Sequence, residues 1–437
     1  MSGSEATLER VIDEEVEAPG YGRGARILSI GIATTGLFTF AYFSVASHVL
    51  GEVEAKRIDL LWSVMFVIIS VIYRPIEQLL SRTIAERRAM GLDRHSLRGP
   101  LLIQGGFALS FLVVALALHD PLQNHVFDGS AALYWVLVVG ILFYAASYFA
   151  RGWLAGHQEF ALYGGLVLLE SLSRFLFPVL VAIGVLEGEN AVAIGIAAAP
   201  FVSLMVVPWA LRRRAGGAIA APGEASTMRE STGFAIAVAG IMLAEQALLN
   251  AAVLTTDATA KDAALAGIVF NVLLIARAPL QLFQSIQTSL LPHLAGLEAT
   301  EGHAAFARAI RTTILAIGAF AGAVALGLLV IGPFVMSHLF GQSFDYGRLG
   351  LAAVGIGMGL HLAAGTLNQA ALARKRAGTA SAAWLLCAAL FVVWTVTPVI
   401  GDQLVRVEVG YALATGLLVV LLGALYRTGG AGAPRHS

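Results

Sequence analysis

Charge is scarce in this sequence: Asp, Glu, Lys and Arg together make up 13% of its 437 residues, about half of the roughly 25% found in soluble domains. Hydrophobic residues fill 58% of it and the mean hydropathy is +0.79, so a water-soluble fold would have too little polar surface to show to solvent. Cysteine is nearly absent. The single Cys387 lies inside an apolar run, which excludes a disulfide framework and any multi-cysteine metal site. No G-x-x-x-x-G-K-[ST] run occurs, so nucleotide is not bound in the P-loop manner, and H-E-x-x-H, C-x-x-C and G-x-S-x-G motifs are missing as well. The connections between apolar runs are short, leaving no room for a soluble catalytic domain. Lys+Arg equals Asp+Glu at 28 each, so bulk charge points to no nucleic-acid partner.

What the sequence has is apolar runs of spanning length. A hydrocarbon core about 30 Å thick needs about 20 consecutive apolar residues in a helix. Twelve such runs can be drawn, at 25–50, 58–80, 100–118, 131–151, 163–186, 191–211, 233–254, 263–289, 312–332, 347–372, 379–399 and 407–426. Lipid satisfies no backbone polar groups, so the expected class is an all-α polytopic membrane protein.

Orientation follows from the basic residues. With both termini inside, 20 of the 28 Lys and Arg residues fall in cytoplasmic segments or span ends and five in outer loops. Arg74, Arg174 and Arg277 lie within spans. Residues 1–24 are polar and acidic, with neither the basic start nor the short apolar core of a signal peptide; they read as a disordered cytoplasmic tail. Residues 427–437 form a second tail. The longest inner connection, 212–232, is rich in Gly, Ala and Pro and reads as a flexible linker. It divides the spans into two six-helix bundles, 25–211 and 233–426.

Two pairs of segments suggest that these bundles repeat one another. Arg74-Pro75-Ile76-Glu77-Gln78-Leu79 in the second span parallels Arg277-Ala278-Pro279-Leu280-Gln281-Leu282 in the eighth. ARGWLAGHQEF at 150–160 parallels NQAALARKRAG at 368–378, 218 residues later. Twelve spans as two pseudo-symmetric, parallel bundles are therefore expected.

Function should lie where polar groups are costly, because an Arg or Asp at the centre of a spanning helix costs roughly 2.5–3.5 kcal/mol. Six charged residues fall inside the spans: Arg74, Glu77, Glu170, Arg174, Glu245 and Arg277. Glu170 and Arg174 are one helical turn apart, as are Arg74 and Glu77 with Gln78, so intrahelical ion pairs are one reading of both. Arg277 has no acidic residue within a turn. It heads a stripe with Gln281, Gln284 and Thr288 that points to a cavity. Asn250 follows Glu245 and Gln246 in the seventh span, and His361, Asn368 and Gln369 mark the tenth. Uncharged amides of this kind commonly join helices, and prolines at 75 and 279 kink spans where polar neighbours can satisfy the freed carbonyls.

Several of these segments resemble the polysaccharide flippases of the multidrug/oligosaccharidyl-lipid/polysaccharide exporter superfamily, chiefly its actinobacterial branch. They are LLWSVMFVIISVIYRPIEQLLSRTIAERRA (60–89), RGWLAGHQEFALYGGLVLLESLSR (151–174), ARAPLQLFQSIQTSLLPHLAGLEA (276–299) and NQAALARKRAG (368–378). The resemblance implies a two-bundle exporter in the bacterial plasma membrane. It would move an undecaprenyl-diphosphate-linked oligosaccharide across the bilayer by alternating access, for surface polysaccharide biosynthesis. Arg74, Arg174 and Arg277 would then engage the diphosphate, Gln78, Asn250, Gln281, Gln284 and Asn368 the sugars, and Glu77, Glu170 or Glu245 would titrate in ion coupling. No catalytic residue, metal or cofactor is expected. The implied partners are the lipid-linked substrate, membrane lipids and polysaccharide polymerase machinery. Two alternatives remain at this point: a small-molecule or drug antiporter of the same superfamily, and an intramembrane enzyme acting on lipid-linked sugars. The drug-exporting branch typically has an acidic residue in its first span, and 25–50 here has neither Asp nor Glu.

Overall fold

The computed structural model describes residues 21–91, 97–205, 228–259, 290–298, 302–340 and 347–428, with a few positions between 269 and 280. All regular structure among them is helical: α1 (Tyr21–Val49), α2 (Glu52–Ile72), α3 (Arg74–Ala89), α4 (Arg98–Ala117), α5 (Ala131–Gly156), α6 (Phe160–Ala182), α7 (Gly188–Ser203), α8 (Met228–Thr259), α9 (Gly302–Phe340), α10 (Arg348–Ala373), α11 (Ala377–Val396) and α12 (Gln403–Thr428). Eight of these helices are long and apolar enough to cross a membrane. Large apolar side chains such as Leu102, Leu315, Phe334 and Val420 stand exposed on them, a surface that suits lipid and not water. The chain is an all-α polytopic membrane protein.

Two expected spans differ in detail. The second is not one helix: α2 ends at Ile72 and α3 starts at Arg74. Pro75 has no N–H to offer Val71 and cannot continue the preceding helix, so it sits in the first turn of a new one, where a missing donor costs nothing. The seventh starts early, at Met228, inside the stretch read as linker. The eighth, 263–289, lies largely outside the described residues, with Arg277, Pro279, Gln281, Gln284 and Thr288.

The helices form two compact units, residues 1–66 with 108–219 and residues 67–107 with 220–437. The units differ from the bundles drawn at 25–211 and 233–426 in that 67–107 belongs to the second. Within the first, α1 packs on α6, α6 on α7, and α7 on α5; within the second, α8 packs on α11, α11 on α12, and α12 on α10. This is one packing plan used twice.

The repeat is visible at the level of hydrogen bonds. α5 ends at Gly156, and the Glu159 N–H reaches back to the Leu154 carbonyl at 2.9 Å, with Gln158 at φ 59°. α10 ends at Ala373, and the Arg376 N–H reaches the Ala371 carbonyl at 2.9 Å, with Lys375 at φ 58°. Both are left-handed helix stops of the kind glycine usually fills. The register between them is 217 residues, one less than the offset of the two segments compared in the sequence. Gly140 and Gly357 obey the same register. A Cβ on Gly140 would lie 3.3 Å from the Ala197 Cα, and one on Gly357 would lie 3.2 Å from the Ala412 Cα. Each glycine thus lets two helices approach backbone to backbone.

The left-handed turns carry a prediction. A non-glycine residue in that conformation costs roughly 1–2 kcal/mol. Gln158→Gly should therefore raise the melting temperature of the detergent-purified protein, by roughly 0.5–1 kcal/mol of stability; a lower melting temperature would mean that the Gln158 side chain contributes more than its backbone costs.

Candidate functional site

Each unit holds a group of buried polar side chains that span its helices. In the first unit the apolar helix α5 carries Tyr144, Ser147 and Arg151 at spacings of three and four, so all three share a face. α6 brings Glu170, which is 3% exposed. Its carboxylate accepts from the Ser147 hydroxyl on Oε1 and from the Arg151 guanidinium on Oε2. Arg151 also lies over the Tyr148 ring, 4.5 Å from its centroid. The pair joins α5 to α6 through a charge-assisted bond, which is strengthened where water is excluded.

The sequence offered an intrahelical Glu170–Arg174 pair, and the structure corrects this. Glu170 is engaged by a residue that the sequence reading had counted as a cytoplasmic span end. Arg174 turns elsewhere. Its Nη1 approaches the Tyr144 hydroxyl at 3.4 Å, and its Nη2 approaches Thr39 Oγ1 of α1 at 3.3 Å and Ser171 Oγ at 3.4 Å. The guanidinium lies over the Trp62 ring of α2, 4.2 Å from the centroid. Arg174 is 4% exposed, and no carboxylate forms an ion pair with it among the described residues. Sequence reasoning passed over Tyr144, Ser147 and Arg151, although their period along α5 was a readable signal. Trp62 carried no such mark.

In the second unit the group is chemically different. Glu245 of α8 and His361 of α10 are both buried, with Glu245 Oε1 3.9 Å from His361 Nε2, too far for a hydrogen bond. The Nδ1 of His361 is 3.0 Å from the Tyr411 hydroxyl of α12, and its ring meets Trp384 of α11 edge to face at 5.5 Å. The Trp384 indole N–H donates to Asn368 Oδ1 at 3.2 Å. Asn250 donates to the Gln246 carbonyl one turn back at 2.8 Å, so part of its amide serves its own helix. Glu77 and Gln78 are buried in α3 and Arg74 is half-buried at its start. Nearby Arg82 lies over the Phe234 ring at 4.9 Å and reaches Glu86 at 3.7 Å.

The 217-residue register relates the two groups. Tyr144 corresponds to His361, Ser147 to Ala364 and Arg151 to Asn368. The proposed residues therefore fall into two sets: Glu170 and Arg174 in the first unit, and Arg74, Glu77, Gln78, Glu245, Asn250 and Asn368 in the second. Arg277, Gln281 and Gln284 are outside the described residues. No His, Cys, Asp or Glu cluster suited to a metal ion occurs among the described residues.

No protein-family model matches the chain, and no curated protein matches it in sequence. Solved structures do match. A multidrug resistance MATE family transporter of the MOP superfamily in its outward-facing conformation aligns over 95% of this chain and 97% of its own, with a TM-score of 0.77 and 13% identity. A mutant of the Vibrio cholerae MATE transporter VcmN aligns over the same shares with a TM-score of 0.77 and 14% identity. A MOP superfamily transporter from Pyrococcus furiosus, described as having a binding pocket of reverse polarity, aligns over 94% and 95% with a TM-score of 0.75 and 13% identity. The chain has the fold of the MATE transporters of the MOP superfamily.

Proposed function

We propose that this chain is a membrane transporter, and that its two buried polar groups are stations on the path of what it carries. The observation behind this reading is their placement. Charged side chains are expensive within spanning helices unless they serve a pathway or a partner, and here Arg151, Glu170, Arg174 and Glu245 are buried beside polar side chains on α5 and α10, the equivalent helices of the two repeats. Export of a small organic molecule in exchange for an ion is the substrate reading that the solved neighbours support, since one of them is described as a multidrug resistance transporter. The Glu245–His361 pair would suit the ion, because both groups can change protonation.

A second reading, a flippase for a lipid-linked oligosaccharide in a bacterial plasma membrane, is supported by the resembling segments at 60–89 and 151–174 and by the cationic surplus at Arg151, Glu170 and Arg174. The experiment that tests transport uses the full chain in proteoliposomes with an imposed pH gradient. Dye or drug flux above that of empty liposomes, lost in Glu245→Gln, is the expected result. If there is no such flux, and deleting the gene instead leaves lipid-linked glycan trapped on the inner leaflet, the small-molecule reading falls and the flippase reading replaces it.

A further inference from the structure

We infer that Glu408 binds a proton from the medium, and that this proton closes one end of the seam between α10 and α12. The seam is built on matching faces. Gly350, Gly357 and His361 follow one another at seven and four residues on α10, and Glu408 and Tyr411 are three apart on α12, so each set shares one side of its helix. A Cβ on Gly357 would meet the Tyr411 ring, and one on Gly350 would overlap the Glu408 carboxylate. The carboxylate therefore lies against the backbone of α10's first turn, in the space a side chain would take. Glu408 is 3% exposed, and no hydrogen bond or ion pair reaches it from any described residue.

The charges around it are engaged elsewhere. Arg406, two residues earlier, faces the other side of α12: its Nε donates to the Ile400 carbonyl at 2.9 Å and its Nη1 to the Thr395 carbonyl at 3.2 Å. Asp402 caps α12, accepting from the Leu404 and Val405 N–H groups. Arg348 of α10 is exposed, and α11 has no charged residue from Ala377 to Val396. His361, with Glu245 of α8 beside it, lies three turns deeper along α10. A carboxylate buried with neither cation nor donor is far costlier than the neutral acid, and such a group takes up a proton instead. Helix α10 has no side-chain cap at Gly347. Without its proton, Glu408 has to turn to water or to the free N–H groups of α10's first turn. Either movement takes it off Gly350 and loosens a seam that continues through Tyr411 to His361. Gly347, Arg348 and Leu349 are exposed at this end, the outer end in the orientation read from the basic residues, so the proton exchanges with the outer medium.

The first unit shows the same place without a carboxylate. Ala197 and Ala412 are the matching contacts of Gly140 and Gly357. Four residues before those alanines stand Ala193 and Glu408, and seven before the glycines stand Leu133 and Gly350. Leu133 and Ala193 are fully buried. At matching positions one unit holds leucine and alanine, the other glycine and glutamate, so the shared packing plan does not call for the carboxylate.

The test uses the detergent-purified full chain in potassium buffers, from mildly acidic to alkaline pH. The folded protein holds this proton where the unfolded chain has released it, so stability is lost as the pH rises. The wild type should melt several degrees lower at alkaline than at mildly acidic pH. Glu408→Gln keeps the shape of the protonated acid and should lose most of that difference. Its infrared spectrum at neutral pH should also lack one protonated-carboxyl carbonyl band that the wild type shows. An unchanged pH dependence in Glu408→Gln, or the same carboxyl bands in both proteins, overturns the site. If sodium in place of potassium restores the alkaline melting temperature of the wild type, the cation is a metal ion and the proton site is overturned. Should Glu408→Gln not fold, the double variant Gly350→Leu with Glu408→Ala puts the first unit's pair into the second. Its melting temperature should vary little with pH, and a wild-type dependence overturns the site. These measurements involve no transport, so their outcome is separate from the transporter reading.

Discussion

Arg151→Met should destabilise the protein by about 3–5 kcal/mol, the cost of leaving one member of a buried ion pair without the other. Glu170 would lose the guanidinium that its Oε2 accepts from and keep the Ser147 hydroxyl on Oε1. The reciprocal Glu170→Leu should cost a similar amount, because it leaves Arg151 and Arg174 as two buried cations. The decisive variant is the double one. Arg151→Met with Glu170→Leu removes both charges and fills the space with apolar atoms, and replacing a buried pair in this way is often neutral or stabilising. Melting temperatures in detergent should therefore fall steeply for each single variant and recover most of the way in the double. If the double variant is as unstable as the two singles added together, the pair does not act as a unit and this account of the α5–α6 contact is wrong.

Gly357→Val should disrupt the second unit. A Cβ alone would sit 2.7 Å from Tyr411 Cδ1 and 3.2 Å from the Ala412 Cα. A ring can tilt, but a backbone atom of the facing helix moves only with its helix. Overpacking of this kind costs about 1–3 kcal/mol when neighbours can shift, and more when they cannot. Because Tyr411 also holds His361 at 3.0 Å, the displacement should reach the polar group. Gly357→Val should both lower the melting temperature and reduce transport, whereas Gly378→Val, at a position with open space around it, should do neither. A Gly357→Val protein with wild-type stability would show that α10 and α12 pack more loosely than described.

Composition made the fold class legible, because length and apolarity are set by the bilayer. The repeat was legible at the two turns: a helix stop is a local event, and its basic or polar residues interrupt an apolar run. The break at Tyr73 was half legible, since Pro75 predicted a kink and the structure places a helix start there. The partners of the charges were not legible. Glu170 has a basic residue one turn away in sequence and uses a different one, from another helix, because the direction of a side chain is decided by packing that no spacing rule contains. The pairing of Arg151 was hidden for a related reason: the basic residues that orient a membrane protein and those that form buried pairs look identical at the end of an apolar run. Trp62 was invisible among six tryptophans until a guanidinium was found lying on it.

The matching turns at Gln158 and Lys375, with the matching close approaches at Gly140 and Gly357, separate what the two repeats share from what they do not. The shared features are all backbone: helix stops, left-handed residues, glycine contacts and the order of packing. The features that differ are all side-chain chemistry, tyrosine against histidine, serine against alanine, arginine against asparagine. Two units with one packing plan thus share their backbone architecture and differ at matching positions in their interiors, with Tyr144, Ser147 and Arg151 in one and His361, Ala364 and Asn368 in the other. Such a separation lets the interior side chains of one unit change without disturbing the helix stops and close approaches that assemble the other.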